Sequence, residues 1–174
     1  MNDFEAEIRD LAARRDITDA VQRYMRGLDR LDRALLRSAF HDDALVDAGL
    51  LAGAPDEYCD FCIEFLGQMG ASHHLLGQVR IEFTRPKTAS GECYFQAWHE
   101  SRDEAGEPRD LFVSGRYVDE YACRKGEWRI LKRRLITDWV TDQPGDHAFF
   151  DNPGIHRGGR RGADFSETRD WTDL

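Results

Sequence analysis

The chain has 174 residues and a net charge of −9, and 41% of its residues are hydrophobic. This length and composition predict one globular domain with a core, and they exclude a disordered chain. The acidic charge argues against a nucleic-acid partner, because phosphate contacts need a basic face. No apolar run reaches the roughly 18 residues of a membrane span, and the acidic start of the chain does not resemble a secretory signal. We therefore expect a cytoplasmic protein with no membrane partner.

Three helices are predicted in the first 70 residues. Residues 5–26 have the periodicity of one amphipathic helix, and Gly27 is expected to end it. Residues 31–40 predict a second helix, and a short strand follows at residues 44–49. The third helix is expected over residues 55–69, because a proline at the first position is typical of a helix start. The apolar stripe of the first helix consists of Ile8, Leu11, Ala12, Ile17, Ala20, Val21 and Tyr24.

Four long strands are predicted in the second part of the chain. Their residues are β-branched or aromatic and often alternate with polar ones, and glycine-containing breaks separate them as hairpin turns do. Helices followed by an antiparallel meander indicate an α+β fold. Because long strands twist, we expect a cone-shaped barrel in which the N-terminal helices close a curved antiparallel sheet around an apolar pocket. The predicted strands are residues 75–83, 92–102, 111–123 and 127–140.

The last part of the chain has a different composition. From residue 143 onward proline, glycine and aspartate dominate and the periodicity ends. We therefore predict a cone domain at residues 1–142 and a C-terminal extension at residues 143–174 that wraps the surface or a partner subunit. The Gly/Arg-rich stretch at residues 156–161 is interpreted as a solvated or subunit-contacting part of this extension.

The cysteines and the missing motifs indicate chemistry without a metal or a cofactor. Cys59 and Cys62 form a C-x-x-C pair inside a predicted helix, where small thiols are common in cores, whereas a structural zinc site needs four ligands. The chain has no Gly-x-Ser-x-Gly, no Walker A and no Gly-x-Gly-x-x-Gly motif. We therefore predict neither a covalent nucleophile nor a bound cofactor.

A few polar residues next to apolar runs are candidates for a site. Each residue also has a purely structural interpretation. The tyrosine can belong to the core, the aspartate can cap a helix, a histidine can have all its hydrogen bonds made within the fold, and an arginine can lie on the sheet surface. Together they contain a base, a carboxylate that could orient it, and donors for a developing negative charge, which favours proton transfer. They are Tyr24 and Asp29 at the end of the first helix, His73, His74 and His99 in strands, and Arg133 and Arg134 in the last strand.

At these positions the sequence resembles the nuclear transport factor 2-like superfamily, in particular its polyketide cyclase-like (SnoaL-like) branch. The resemblance covers about residues 5–140. This branch is similar to scytalone dehydratase, bile acid 7α-dehydratase and hexachlorocyclohexane dehydrochlorinase. The segments that carry the resemblance are residues 17–24, 27–29, 72–83, 126–134 and 138–139.

The resemblance implies a role for each candidate. In the lyases of this group a His–Asp dyad removes a proton from the substrate. Asp29 matches the dyad aspartate and His74 the dyad histidine. Tyr24 stands where relatives place a pocket-facing tyrosine or lysine, and Arg133 matches an arginine near the leaving group. The departures are Gln78, where several relatives have asparagine, and a second tyrosine of scytalone dehydratase that has no match here; His99 is a candidate for its second histidine.

The function expected from these observations is that of a cofactor-free lyase. A dehydratase-type enzyme would abstract a proton from a hydrophobic cyclic small molecule with His74. Two alternatives stay open: an isomerase or cyclase with the same base, and a non-catalytic ligand-binding or subunit-assembly module such as the β subunit of a ring-hydroxylating dioxygenase. We also expect a homodimer or homotrimer formed through the outer sheet face, because residues 94–98 and 111–113 carry large apolar groups on both alternating faces.

Overall fold

The structure is a computed structural model that describes residues 3–172. It contains four α-helices, a short 3-10 helix and six strands. The helices are α1 (Asp3–Arg30), α2 (Arg33–Ser38), α3 (Pro55–Gly67) and α4 (Phe165–Thr168), and the 3-10 helix is Ala148–Asp151. The strands are β1 (Phe40–Asp47), β2 (Ala52–Gly53), β3 (Ala71–Arg85), β4 (Thr88–Arg102), β5 (Pro108–Arg124) and β6 (Glu127–Pro144).

The six strands form one curved, open sheet in the order β2-β1-β6-β5-β4-β3. The predicted antiparallel meander corresponds to β3 to β6, which pair in sequence order. The sheet is mixed, because β1 pairs with β6 in parallel. Helix α1 packs against β3 and β6, and α3 packs against β1. The predicted cone, a curved sheet closed by the N-terminal helices, is therefore confirmed.

The junction of α1 and α2 differs from the prediction. Gly27 does not end α1, which continues to Arg30. A Cβ atom on Gly27 would lie 2.6 Å from the backbone nitrogen of Leu36, so the glycine allows α2 to approach α1 closely. The chain leaves α1 at Leu31 with a φ of 51°, and Asp32 then caps α2 by accepting a hydrogen bond of 2.9 Å from the backbone of Leu35.

The core lies between the helices and the concave face of the sheet. Helix α1 contributes the buried side chains of Ile17, Val21 and Tyr24. Strand β4 turns alternate residues toward them, including the buried Phe95 and Ala97, as expected for a strand with one face in the core. The concave face therefore forms the interior of the cone.

The C-terminal segment, defined as residues 145–168, folds back onto the cone. His147 lies 3.0 Å from Asp110 on β5, between Nε2 and Oδ1. Farther along, Arg30 of α1 forms a 2.8 Å ion pair with Asp164. The division of the chain at residue 142 and the wrapping of a partner stay predictions. No helix among residues 3–172 is long and apolar enough to cross a membrane.

Candidate active site

Asp29 and His74 contact each other where the last turn of α1 meets the start of β3. The ring nitrogen Nδ1 of His74 lies 2.7 Å from Oδ1 of Asp29. The backbone N–H of His74 also donates to the same carboxylate, at 3.1 Å to Oδ1 and 2.9 Å to Oδ2. The side chain of His74 is 6% exposed and that of Asp29 is 12% exposed. One residue thus supplies three hydrogen-bond contacts to a nearly buried carboxylate, which fixes the relative position of the helix end and the strand.

This geometry determines the tautomer of His74. Burial alone would raise the pKa of Asp29, but the hydrogen bonds and charge of His74, together with the charge of Arg30, outweigh it and lower that pKa. Asp29 is therefore ionised and can only accept hydrogen bonds. Nδ1 of His74 must therefore carry a proton, so whenever the ring is neutral its basic nitrogen is Nε2.

The two histidines next to this pair have different surroundings. His73 is exposed, because successive side chains of a strand point to opposite faces. His99 lies on β4 with its ring centroid 5.4 Å from that of His74. Burial, and then the charge of His74, lower the pKa of His99 to about 4. His99 is therefore neutral at neutral pH, and its Nδ1 lies 3.2 Å from the carbonyl oxygen of Leu111.

The predicted cation of the site, Arg133, forms a second contacting group with Tyr24. Its guanidinium carbon lies 4.1 Å from the centroid of the Tyr24 ring and 4.2 Å from that of Tyr117. The Arg133 side chain is only 1% exposed. The Tyr24 hydroxyl lies 2.5 Å from that of Tyr58. Burial raises the pKa of Tyr24 well above its ordinary value, so this hydroxyl keeps its proton.

The guanidinium of Arg133 is bound to a carboxylate, a partner that was not predicted from the sequence. Its Nε and Nη2 bind the two oxygens of Asp119 at 2.8 Å and 2.6 Å. The hydroxyl of Tyr121 donates to Asp119 at 2.6 Å. The signal that could have found this pair is the Tyr-x-Asp-x-Tyr pattern at residues 117–121, which places a carboxylate at a core-facing position between two tyrosines. The four predicted site residues therefore form two contacting pairs, Asp29 with His74 and Tyr24 with Arg133.

A pocket of about 280 Å³ is lined by Asp29 and His73 but not by His74. Its wall includes Ser72 and Trp98 from the sheet, and the C-terminal segment covers the other side with Phe150 and Arg160. The segment therefore adds charged side chains to the rim of this pocket. The apolar pocket inside the cone stays a prediction.

The cysteines have the surroundings of core thiols. Burial raises the pKa of Cys59 to about 12 and that of Cys62 to about 11. Both therefore stay protonated at neutral pH and are poor nucleophiles and metal ligands. No group of three or more His, Cys, Asp or Glu side chains that could hold a metal ion occurs in the part of the chain that the structure describes.

Residues 9–134 match the family model of the SnoaL-like domain, which is most of the cone. The chain therefore belongs to the SnoaL-like family of the nuclear transport factor 2-like superfamily.

Individual relatives agree with this assignment. The chain is 29% identical over 145 residues to terrestric acid biosynthesis cluster protein E of Penicillium crustosum, covering 80% of this chain and 90% of the relative. A type 2 hexachlorocyclohexane dehydrochlorinase is similar in structure, with a TM-score of 0.75, 24% identity and coverage of 86% of this chain and 99% of the other. A putative scytalone dehydratase from Novosphingobium aromaticivorans has a TM-score of 0.70 at 22% identity, covering 80% of this chain and 93% of the other. These structural likenesses show a shared fold.

Proposed function

We propose that the protein is a dehydratase-type lyase that acts on a hydrophobic cyclic small molecule, with His74 as its general base. The observation that carries this proposal is the 2.7 Å contact between His74 Nδ1 and Asp29 Oδ1. It leaves the basic Nε2 to accept a proton, and it places a carboxylate where the resulting imidazolium needs stabilisation. The names of two structurally similar proteins, a dehydrochlorinase and a dehydratase, support elimination as the reaction class.

The elimination needs no external reagent. His74 Nε2 takes a proton from the carbon next to an activating carbonyl group, and the electrons of that C–H bond form the new C=C bond. The C–O bond on the next carbon then breaks, and the hydroxide leaves with the proton that Nε2 had taken, as water. Asp29 stays ionised throughout and stabilises the charged ring. Tyr24, which keeps its proton because it is buried, can donate to an oxygen of the substrate.

Turnover of cyclic β-hydroxyketones tests this proposal. A panel of one- and two-ring compounds should lose water to give the conjugated enone, followed by its absorbance, with protein that has been dialysed against EDTA. His74→Gln should lower the rate by roughly 10²–10⁴, the usual effect of a positioned base. Asp29→Asn should lower it as well, because an amide cannot stabilise the imidazolium and permits the wrong tautomer.

The matched control is Glu82→Gln on the same strand, since Glu82 is exposed and lies eight residues beyond His74. It should leave the rate unchanged. An unimpaired His74→Gln variant, or loss of activity on chelation with recovery by a metal, would contradict the mechanism. A shift of the double bond without loss of water would indicate the isomerase alternative instead.

A further inference from the structure

The Gly/Arg-rich stretch at residues 156–161 has no role in the proposed function, yet it forms one wall of the pocket beside Asp29. We call this pocket of about 280 Å³ the rim cleft. Among residues 3–172, its lining contains three arginines and one carboxylate, although the whole chain has a net charge of −9. These side chains are Arg30, Arg157, Arg160 and Asp29. The rim cleft is therefore a locally basic place on an acidic protein.

Two of the three arginines are already paired with carboxylates behind the cleft wall. Arg30 forms a 2.8 Å ion pair with Asp164. Arg157 binds the carboxylate of Glu100. Arg160 differs, because it forms no ion pair with a carboxylate of residues 3–172. The positive charge that is not balanced at contact distance therefore belongs to Arg160.

The hydrogen bonds of Arg160 leave part of its guanidinium unused. Nη1 donates to the carbonyl oxygens of Leu66 and Met69, and Nη2 donates to the hydroxyl of Ser72, all of them neutral oxygens. The Nε–H group donates to no atom of residues 3–172. Burial lowers the pKa of Arg160, and the charge of Asp29 opposes this without cancelling it. Since an arginine stays protonated in proteins, Arg160 is a charged donor that lacks a contacting anion.

The other side chains of the rim cleft restrict the ligand. Asp29 is ionised, so a ligand with two negative charges would be repelled by it more strongly than a ligand with one. Trp98 of the sheet and Phe150 of the C-terminal segment supply two aromatic walls. The guanidinium carbon of Arg157 lies 4.3 Å from the centroid of the Phe150 ring and helps to hold it in place. These features suit a flat ring that carries a single negative charge.

We propose that the rim cleft binds an aromatic monocarboxylate, whose carboxylate accepts hydrogen bonds from Arg160 while its ring packs between Trp98 and Phe150. A carboxylate bound to a guanidinium forms a charge-assisted hydrogen bond, which is stronger than a bond between neutral groups. The site goes beyond the proposed function, because His74 does not line the rim cleft. Occupation of the site joins the C-terminal segment to the start of β3 through the ligand.

Three small probes test the charge preference of the site. Benzoate and benzamide have the same ring and nearly the same shape, but only benzoate is charged at pH 7.5. Calorimetric titration should show that the wild-type protein binds benzoate at least about tenfold more tightly than benzamide. Phenyl phosphate, which carries nearly two charges at this pH, should bind no more tightly than benzoate. Arg160→Gln should bring the ratio of benzoate to benzamide affinity close to one.

The matched control is Arg161→Gln, which removes the same charge from an exposed neighbour that does not line the rim cleft. It should keep the wild-type ratio. The inference is overturned if millimolar benzoate does not bind, if benzamide binds as tightly as benzoate, or if phenyl phosphate binds more tightly. A folded Arg160→Gln variant that keeps the ratio would overturn it as well.

Hydrogen exchange of the wild-type protein shows where benzoate binds, and it decides the matter if Arg160→Gln does not fold. Benzoate should slow exchange at residues 71–73 and 155–160, which line the rim cleft. Slower exchange only at residues 117–121, inside the cone, would overturn the inference. His74→Gln should bind benzoate as wild type does. If no β-hydroxyketone is turned over while this binding holds, the proposed function fails and the rim cleft stands; turnover without benzoate binding gives the reverse.

Discussion

At the scale of single residues, His99 gives a prediction with a defined pH window. Burial, and then the charge of His74, lower the pKa of His99 to about 4 from the ordinary 6.5. Between these values the unfolded chain binds more protons at this residue than the folded protein, so His99 stabilises the fold fully above pH ~6.5, and this contribution is lost as the pH falls to about 4. A shift of this size corresponds to about 3 kcal/mol of unfolding free energy.

Two measurements check this expectation. NMR of the His99 ring should give a midpoint near 4, and urea unfolding should show that His99→Gln removes part of the stability loss between pH 7 and 4. The comparison with the variant separates His99 from the carboxylates that titrate in the same range. A ring midpoint near 6.5 would mean that His99 is solvated and charged more easily than its burial indicates.

The sequence predicted the site in part. The contact of Asp29 with His74 was expected from positions matched to relatives, and the outward direction of His73 from strand alternation. The partner of Arg133 was not predicted, because the register of β5 on β6 determines it. That register shifts between Glu120 and Tyr121, directly beside the Asp119–Arg133 pair, and no local pattern reveals such an irregularity. The catalytic roles of these residues stay proposals.

At the scale of elements, the C-terminal segment contributes to the site through Arg160. Its Nη1 donates to the carbonyl oxygens of Leu66 and Met69 at the end of α3, at 3.0 Å and 2.9 Å. Its Nη2 donates at 2.9 Å to the hydroxyl of Ser72, two residues before His74. One side chain therefore joins the end of α3, the start of β3 and the segment itself.

Removing this side chain should loosen all three elements. We expect Arg160→Ala to lower the unfolding free energy by about 1–3 kcal/mol, because carbonyl groups near the end of α3 lose a charged donor. Hydrogen exchange should become faster at residues 66–74 and 157–164. Arg161→Ala, which changes the exposed neighbouring arginine, is the control. Unchanged exchange in Arg160→Ala would show that the segment is held in place by its other contacts, such as the Arg30–Asp164 ion pair.

The elements that were predicted incorrectly depend on contacts distant in sequence. The local pattern extended the second helix to residue 40, but Phe40 begins β1, whose parallel pairing with β6 joins residues about 90 positions apart. Gly27 has the residue type of a helix end, yet close packing on Leu36 keeps it inside α1. By contrast, the strands of the meander pair with their sequence neighbours, and their period-two pattern predicted them well.

At the scale of the whole molecule, the outer face of the sheet leads to the prediction of self-association. Four large apolar side chains on the outer face of β3 to β6 are 39% to 58% exposed: Leu75, Tyr94, Val118 and Trp139. Apolar groups that share a face in this way favour a protein partner over water. The expected partner is a second copy of this chain, in a dimer or trimer.

Light scattering coupled to gel filtration measures this directly. The wild-type protein should elute at two or three times the 20.0 kDa of the chain at micromolar concentration. Val118→Asp should shift the population toward the monomer by placing a charge on the apolar face. Leu50→Asp, at a position that is 77% exposed outside the strands, should not. A monomeric wild-type protein would contradict the prediction.

The central claim is that His74, oriented by Asp29, abstracts a proton from a cyclic carbonyl compound. The exchange of the α-hydrogens of 1-tetralone for deuterium in D₂O, followed by mass spectrometry, tests this step most directly, because this ketone has no leaving group. Wild-type protein dialysed against EDTA should accelerate the exchange, His74→Gln should reduce the acceleration by roughly 10²–10⁴, and Glu82→Gln should retain it. Exchange by His74→Gln at the wild-type rate, or wild-type exchange no faster than in buffer, would contradict the account.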